Sequence, residues 1–144
     1  MELPDLKGMK ILIIDGDELV RNAIRFLFRE QKSHVDAFET AEEGLDAARR
    51  EHYDLILCDY YLTGMDGSEF FNELRKLHSD AVKVLFTDYV DPEPLLSAFD
   101  AGIHAVIQKP MTIAALRDAL VGSFNKRVKK RQCAMTVQGL LDNA

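Results

Sequence analysis

A few widely spaced residues could do chemistry if the fold brought them together. Asp15, Gly16 and Asp17 make one short acidic stretch, and Asp59, Thr87 and Lys109 stand far from it along the chain. Carboxylates this close repel one another unless something positive sits among them. Clustered acids recruit a hard divalent cation such as Mg²⁺, which takes oxygen ligands at about 2.0–2.1 Å and keeps several waters. An acid beside such a cation can act as a nucleophile toward a phosphoryl donor. A lysine and a hydroxyl can then bind the phosphoryl oxygens.

The elements between these residues decide whether they meet. Ile11–Ile14 is an apolar run without polar alternation, the pattern of a strand buried on both faces. Glu18–Glu30 places Val20, Ile24, Leu27 and Phe28 at helical spacing, with Asp17 as its N-cap. Ser33–Phe38 is a more polar strand, which suits an edge. Thr40 and Glu43 form a capping box that opens a helix over Ala41–Arg50. Asp54–Cys58 is a third strand that ends at Asp59. A loop with Gly64 and Gly67 leads to a helix over Ser68–Leu77, with Phe70, Phe71, Leu74 and Leu77 as its apolar face. Val82–Phe86 is a fourth strand, ending at Thr87. Asp91-Pro92 opens a helix through Leu95, Leu96 and Phe99 to Gly102, since proline suits a first helical turn. Ala105–Gln108 is a fifth strand, ending at Lys109-Pro110. A last helix from about Thr112 carries Ile113, Leu116, Leu120, Phe124 and Val128 on one face.

Strict alternation of strand and helix predicts an α/β fold: a doubly wound, five-stranded parallel sheet with helices on both faces. Asp15, Asp17, Asp59, Thr87 and Lys109 all close strands. In a parallel sheet they therefore line the carboxyl edge, where open sheets place their sites.

The totals set limits on function. A chain of 144 residues suits one domain with a sizeable core. A formal net charge of −6 argues against a nucleic-acid surface, which needs many Lys and Arg on one face. No apolar run approaches a membrane span, and the polar Met1–Lys10 segment does not resemble a signal peptide, so a cytoplasmic location is expected. Cys58 and Cys133 lack metal-ligand spacing, and Cys58 reads as a small buried hydrophobe. His34, His52, His78 and His104 lack ligand spacing too and read as structural or exposed.

With these residues in register, residues 9 to 124 resemble the receiver domains of two-component response regulators, the CheY-like, flavodoxin-like fold. The resemblance rests on Asp15 and Asp17, Asp59 in DLILCD, Gly64-Met65-Asp66-Gly67, Thr87 after VKVLF, and Lys109-Pro110. It implies that Asp59 accepts a phosphoryl group from a sensor histidine kinase or phosphotransfer protein. It implies a Mg²⁺ pocket formed by Asp15, Asp59 and the backbone carbonyl of Tyr61, with Asp17 as a further candidate. Thr87 would be the switch hydroxyl, and Lys109 would pair with the acceptor carboxylate or its phosphate. The fourth helix, fifth strand and fifth helix would form a dimer or partner face. Such a domain is no enzyme, beyond catalysing its own phosphorylation and dephosphorylation.

The departures from the family pattern bear on the same site. Gly16 stands where the family usually has a second acid that contacts the metal, so Mg²⁺ binding should be weak. Asp88 follows the switch threonine where a small residue is usual, and an acid there repels an incoming dianion. Val106 replaces an aromatic that often changes rotamer, and Thr63 replaces a common proline. These changes raise a second reading, a pseudo-receiver that binds proteins without phosphorylation. A third reading takes Asp15-Gly16-Asp17 as the DxD opening of a haloacid dehalogenase-like phosphatase. There the first acid is the nucleophile and the second a general acid. Glu18 and the lack of an acidic pair after Lys109 fit that pattern badly. Residues 1–125 are expected to form the receiver. Residues 126–144, with Lys126, Arg127, Lys129, Lys130 and Arg131, read as a basic helical extension or a linker toward a missing output domain. Thr136–Asn143 could add a short amphipathic turn of helix.

Overall fold

The computed structural model describes residues 4–77, 79–88 and 100–125. Its elements run β1 (Lys10–Ile14), α1 (Glu18–Glu30), β2 (His34–Phe38), α2 (Ala41–Arg50), β3 (Leu55–Asp59), α3 (Gly67–Arg75), β4 (Val82–Thr87) and β5 (Ala105–Gln108). Residues 113–125 form a further helix. The expected helix opened by Asp91 falls mostly outside the described residues, and so do Val128, the basic run and Thr136–Asn143.

The five strands make one parallel sheet in the order β2-β1-β3-β4-β5. The polar second strand lies at an edge, as its composition predicts. Successive side chains in a strand point to opposite faces. Leu12, Ile14, Ile56, Cys58 and Leu85 therefore pack on one side with Phe70, Phe71 and Leu74 of α3 and Leu45 of α2. Ile11, Ile13, Leu55, Leu57, Val84 and Phe86 pack on the other with Ile24 and Phe28 of α1 and Leu116 and Leu120 of the last helix. Burying each large apolar side chain contributes roughly 1.5–3 kcal/mol. Cys58 is a fully buried free thiol, and burial first, then the neighbouring acids, pushes its pKa well up, so it stays a neutral hydrophobe.

Side-chain caps set the helix starts. Asp17 accepts from Leu19 N, Thr40 from Glu43 N and Asp66 from Glu69 N. The Thr40 hydroxyl donates in turn to Glu43 Oε1 at 2.9 Å, so the expected Thr40–Glu43 pairing closes between side chains. Because Asp66 caps it, α3 begins at Gly67 rather than Ser68. It ends at Arg75, and Leu77 lies beyond it, 38% exposed instead of on the apolar face. Ile113 likewise turns outward, 53% exposed. Gly67 is required by contact: a Cβ there would sit 2.6 Å from the Asp59 carbonyl oxygen. That close approach lets the loop after β3 fold back onto the strand end. Among the described residues no helix is long and apolar enough to cross a membrane.

Candidate functional site

The sheet delivers the predicted residues to one edge. Asp15 follows β1 directly and its backbone N donates to Phe38 O, extending the ladder. Asp59 is the last residue of β3, paired with Phe86 of β4. Thr87 ends β4, and its carbonyl accepts from Lys109 N at 2.8 Å. That bond fixes the lysine just past β5, where the Lys109–Pro110 peptide is cis.

The centre of the site is one ammonium shared by two carboxylates. Lys109 Nζ donates to Asp15 Oδ2 at 2.8 Å and to Asp59 Oδ2 at 3.0 Å. All three side chains are largely removed from water, at 15%, 1% and 9% exposure for Lys109, Asp15 and Asp59. The resemblance implied that the lysine pairs with the acceptor carboxylate or its phosphate, and here it meets the acceptor carboxylate and Asp15 together. The remaining oxygens are also engaged: Asp15 Oδ1 accepts from Asp17 N at 2.8 Å, and Asp59 Oδ1 from Tyr61 N at 3.3 Å. The ammonium also lies 5.0 Å from the centre of the Phe86 ring, whose face favours a cation.

Burial sets the electrostatics. It pushes the Asp59 pKa above its ordinary value, with repulsion from Asp15 in the same sense and the Lys109 bond and charge opposing. Burial also works against the Lys109 ammonium, but the hydrogen bonds and charges of Asp15 and Asp59 outweigh it and its pKa is raised. One positive charge thus faces two buried carboxylate positions.

The other predicted residues take different places. The Asp17 carboxylate caps α1 through Leu19 N at 2.9 Å, the helix-cap role its position predicts. Asp88 is exposed, and with Asp17, Val20, Ala23, Ile24, Lys109, Pro110 and Met111 it lines an open groove of about 440 Å³. An acid therefore stands at the mouth beside the lysine. Thr87 is buried at 4% exposure, on the strand next to Asp59. Val106 is half-buried, level with Leu85, and packs against the α2/α3 side of the core. Tyr61 is 48% exposed, and Thr63 is exposed too.

Two supporting contacts escaped the sequence reading. Arg21 Nη1 donates to the Asp15 carbonyl at 2.7 Å, tying α1 to the turn that carries the acids. Its place one turn past the helix cap was the available signal. Glu42 Oε1 accepts from Met65 N at 2.9 Å, pinning the loop after Asp59 to α2, and that bond lowers the Glu42 pKa. Nothing in the spacing of these two residues announces it.

The donor set does not fit a resident divalent cation. Among the described residues no three acids, histidines or cysteines are grouped to hold a metal ion. The two acids that do meet are already bonded through all four carboxylate oxygens, and Asp17 is committed to a helix terminus.

Comparison with known proteins decides the family. The response regulator receiver domain family matches residues 11–121, which spans every one of the strand-end residues above. The chain belongs to that family. This receiver is 29% identical over 149 aligned residues to the sensory/regulatory protein RpfC of Xanthomonas campestris pv. campestris, covering 96% of the chain and 20% of RpfC. It is 28% identical to the response regulator protein VraR of Staphylococcus saprophyticus, covering 81% of the chain and 57% of VraR. The receiver thus spans less than two thirds of these curated relatives. A CheY-like receiver domain from Methanospirillum hungatei superposes with a TM-score of 0.80 at 27% identity, over 86% of this chain and 99% of that one. The expected receiver identity and five-stranded parallel fold are borne out. Family membership leaves the phosphatase reading of Asp15 and Asp17 without support. Receiver domains in general take part in two-component signalling with histidine kinases or phosphotransfer proteins, and generally depend on Mg²⁺ for phosphorylation.

Proposed function

We propose that this receiver accepts a phosphoryl group on Asp59 from a sensor histidine kinase or a phosphotransfer protein. The supporting observation is the Asp59 carboxylate at the end of β3, bonded through Oδ2 to the Lys109 ammonium. In the transfer an Asp59 oxygen forms a bond to phosphorus while the donor's nitrogen–phosphorus bond breaks. The bonding pair returns to the donor imidazole. Lys109 offsets the charge that arrives, and the Thr87 hydroxyl, on the adjacent strand, binds a phosphoryl oxygen. Asp88 opposes entry of the dianion and slows the reaction. Mg²⁺ is at most a weak ligand, of Asp15, Asp59 and the Tyr61 carbonyl, and when bound it would supply neutralising charge.

The domain acts in the cytoplasm, contacts neither nucleic acid nor membrane itself, and dimerises through the face that includes β5 and the helix over 113–125. Residues 1–125 make the receiver, and 126–144 are a basic extension or linker. The groove beside Lys109 is where the donor enters.

Gly16, Asp88 and Val106 favour a second reading, a protein-binding pseudo-receiver. Acetyl phosphate and a phosphorylated histidine donor, each followed by intact-protein mass spectrometry, separate the two. A phosphoryl adduct on the wild type that vanishes in Asp59→Ala is expected. No adduct from either donor overturns phosphoryl acceptance on Asp59.

A further inference from the structure

We infer that this receiver has exchanged a bound metal for an internal cation: Lys109 Nζ is the standing counter-ion of both Asp15 and Asp59, and divalent ions do not compete with it. Three observations carry this. First, each of the four carboxylate oxygens already has a donor, two of them on Lys109 itself at 2.8 and 3.0 Å. A cation must therefore share these oxygens with an ammonium that repels it and already offsets one of the two negative charges, and Lys109 N is fixed to Thr87 O, which keeps that ammonium close. Second, the Asp17 carboxylate caps the first turn of α1 through Oδ1 and its own amide holds Asp15, so drawing it into the pocket would give up that cap. Third, a side chain at position 16 would meet no described atom within 4 Å of its Cβ. The described residues leave room for a longer side chain at that position, and the chain has a glycine there.

The exchange has a chemical consequence for the resting state. A cation with waters can leave and return with its concentration, whereas a lysine is present in every molecule. The charge state of this pocket then depends on the chain alone and not on the Mg²⁺ level.

Mn²⁺ is the probe, because free and bound Mn²⁺ differ in their paramagnetic resonance signal, and the reading needs no phosphoryl transfer. The full chain is titrated alongside Gly16→Asp and Lys109→Met, with Mg²⁺-dependent melting as a second readout. The wild type is expected to leave Mn²⁺ free and to melt at one temperature with Mg²⁺ or with EDTA. Gly16→Asp adds a third carboxylate and is expected to bind at least about ten-fold more tightly than the wild type, with melting that rises saturably. Lys109→Met, where it folds, is expected to gain affinity as well. Saturable Mn²⁺ binding by the wild type, or a folded Lys109→Met protein that binds no more tightly than the wild type, overturns the inference. So does a Gly16→Asp protein that folds and still ignores both ions.

Discussion

The two ends of the sheet handle charge in opposite ways. At the amino edge, charges are matched and wet: Lys10 pairs with Glu51 at 2.6 Å, His52 meets Asp80 at 2.9 Å, and the partners are one third to two thirds exposed. The Tyr53 hydroxyl donates there to Asp36 at 2.7 Å, and Lys10 sits over the Tyr53 ring. At the carboxyl edge, two carboxylates and one lysine are dry. Water screens the first set, so its loss changes little. The second set has no solvent to fall back on, so both carboxylates depend on the one lysine. A fold tolerates that imbalance where it is used, and here it surrounds the proposed phosphoacceptor.

The sharpest way to break this contrast is Lys109→Met. It leaves Asp15 and Asp59 facing each other without a cation, and we expect a loss of about 2–3 kcal/mol in urea unfolding. That lies below the range for fully buried pairs, because the ammonium keeps some contact with water. An unchanged midpoint would show that the carboxyl edge is as well solvated as the amino edge.

The next effect has the opposite sign. Asp59→Asn removes a carboxylate whose folded pKa is raised, and should stabilise the receiver by about 1 kcal/mol near neutral pH. The pH dependence follows from that direction. Below the unfolded value, near 3.9 for a free aspartate, the acid is protonated in both states and the variants match. As pH rises past it, the unfolded chain ionises first, and wild-type stability falls until Asp59 ionises in the folded state. The gap between wild type and Asp59→Asn should therefore open with rising pH and then stay constant. A wild type that instead gains stability over Asp59→Asn as pH rises would assign the opposite shift to Asp59.

Tyr53→Phe tests the amino edge. Burial first, and then the bond and charge of Asp36, raise the tyrosine pKa, so the hydroxyl stays a neutral donor throughout the ordinary pH range. Its removal should lower stability by about 1 kcal/mol and leave Asp59 modification unchanged. A drop in modification would couple the two ends through β1 and β3.

These residues also show what a sequence reveals. The bounds of α1 and α2 follow from local signals, namely a cap at Asp17 or Thr40 and apolar spacing behind it. The order of strand-end residues was legible because a parallel sheet turns sequence order into edge position. Lys109 as a bridge was not, because the distance between Asp15 and Asp59 is set by β1–β3 pairing. The amino-edge network was equally hidden. Lys10, Asp36, Glu51 and Tyr53 come from separate segments, and nothing local says that they meet. Helix ends after α3 misled because Leu77 fits the spacing, while Lys76 already closes the helix through its backbone N–H to Glu73 O and Leu74 O.

Gly16 leaves one replacement open. Its backbone is outside the left-handed region, and no described atom lies within 4 Å of where its Cβ would stand. A longer side chain there meets neither backbone strain nor a clash with the described residues, so the charge of this edge can be altered at one position without repacking the sheet beneath it.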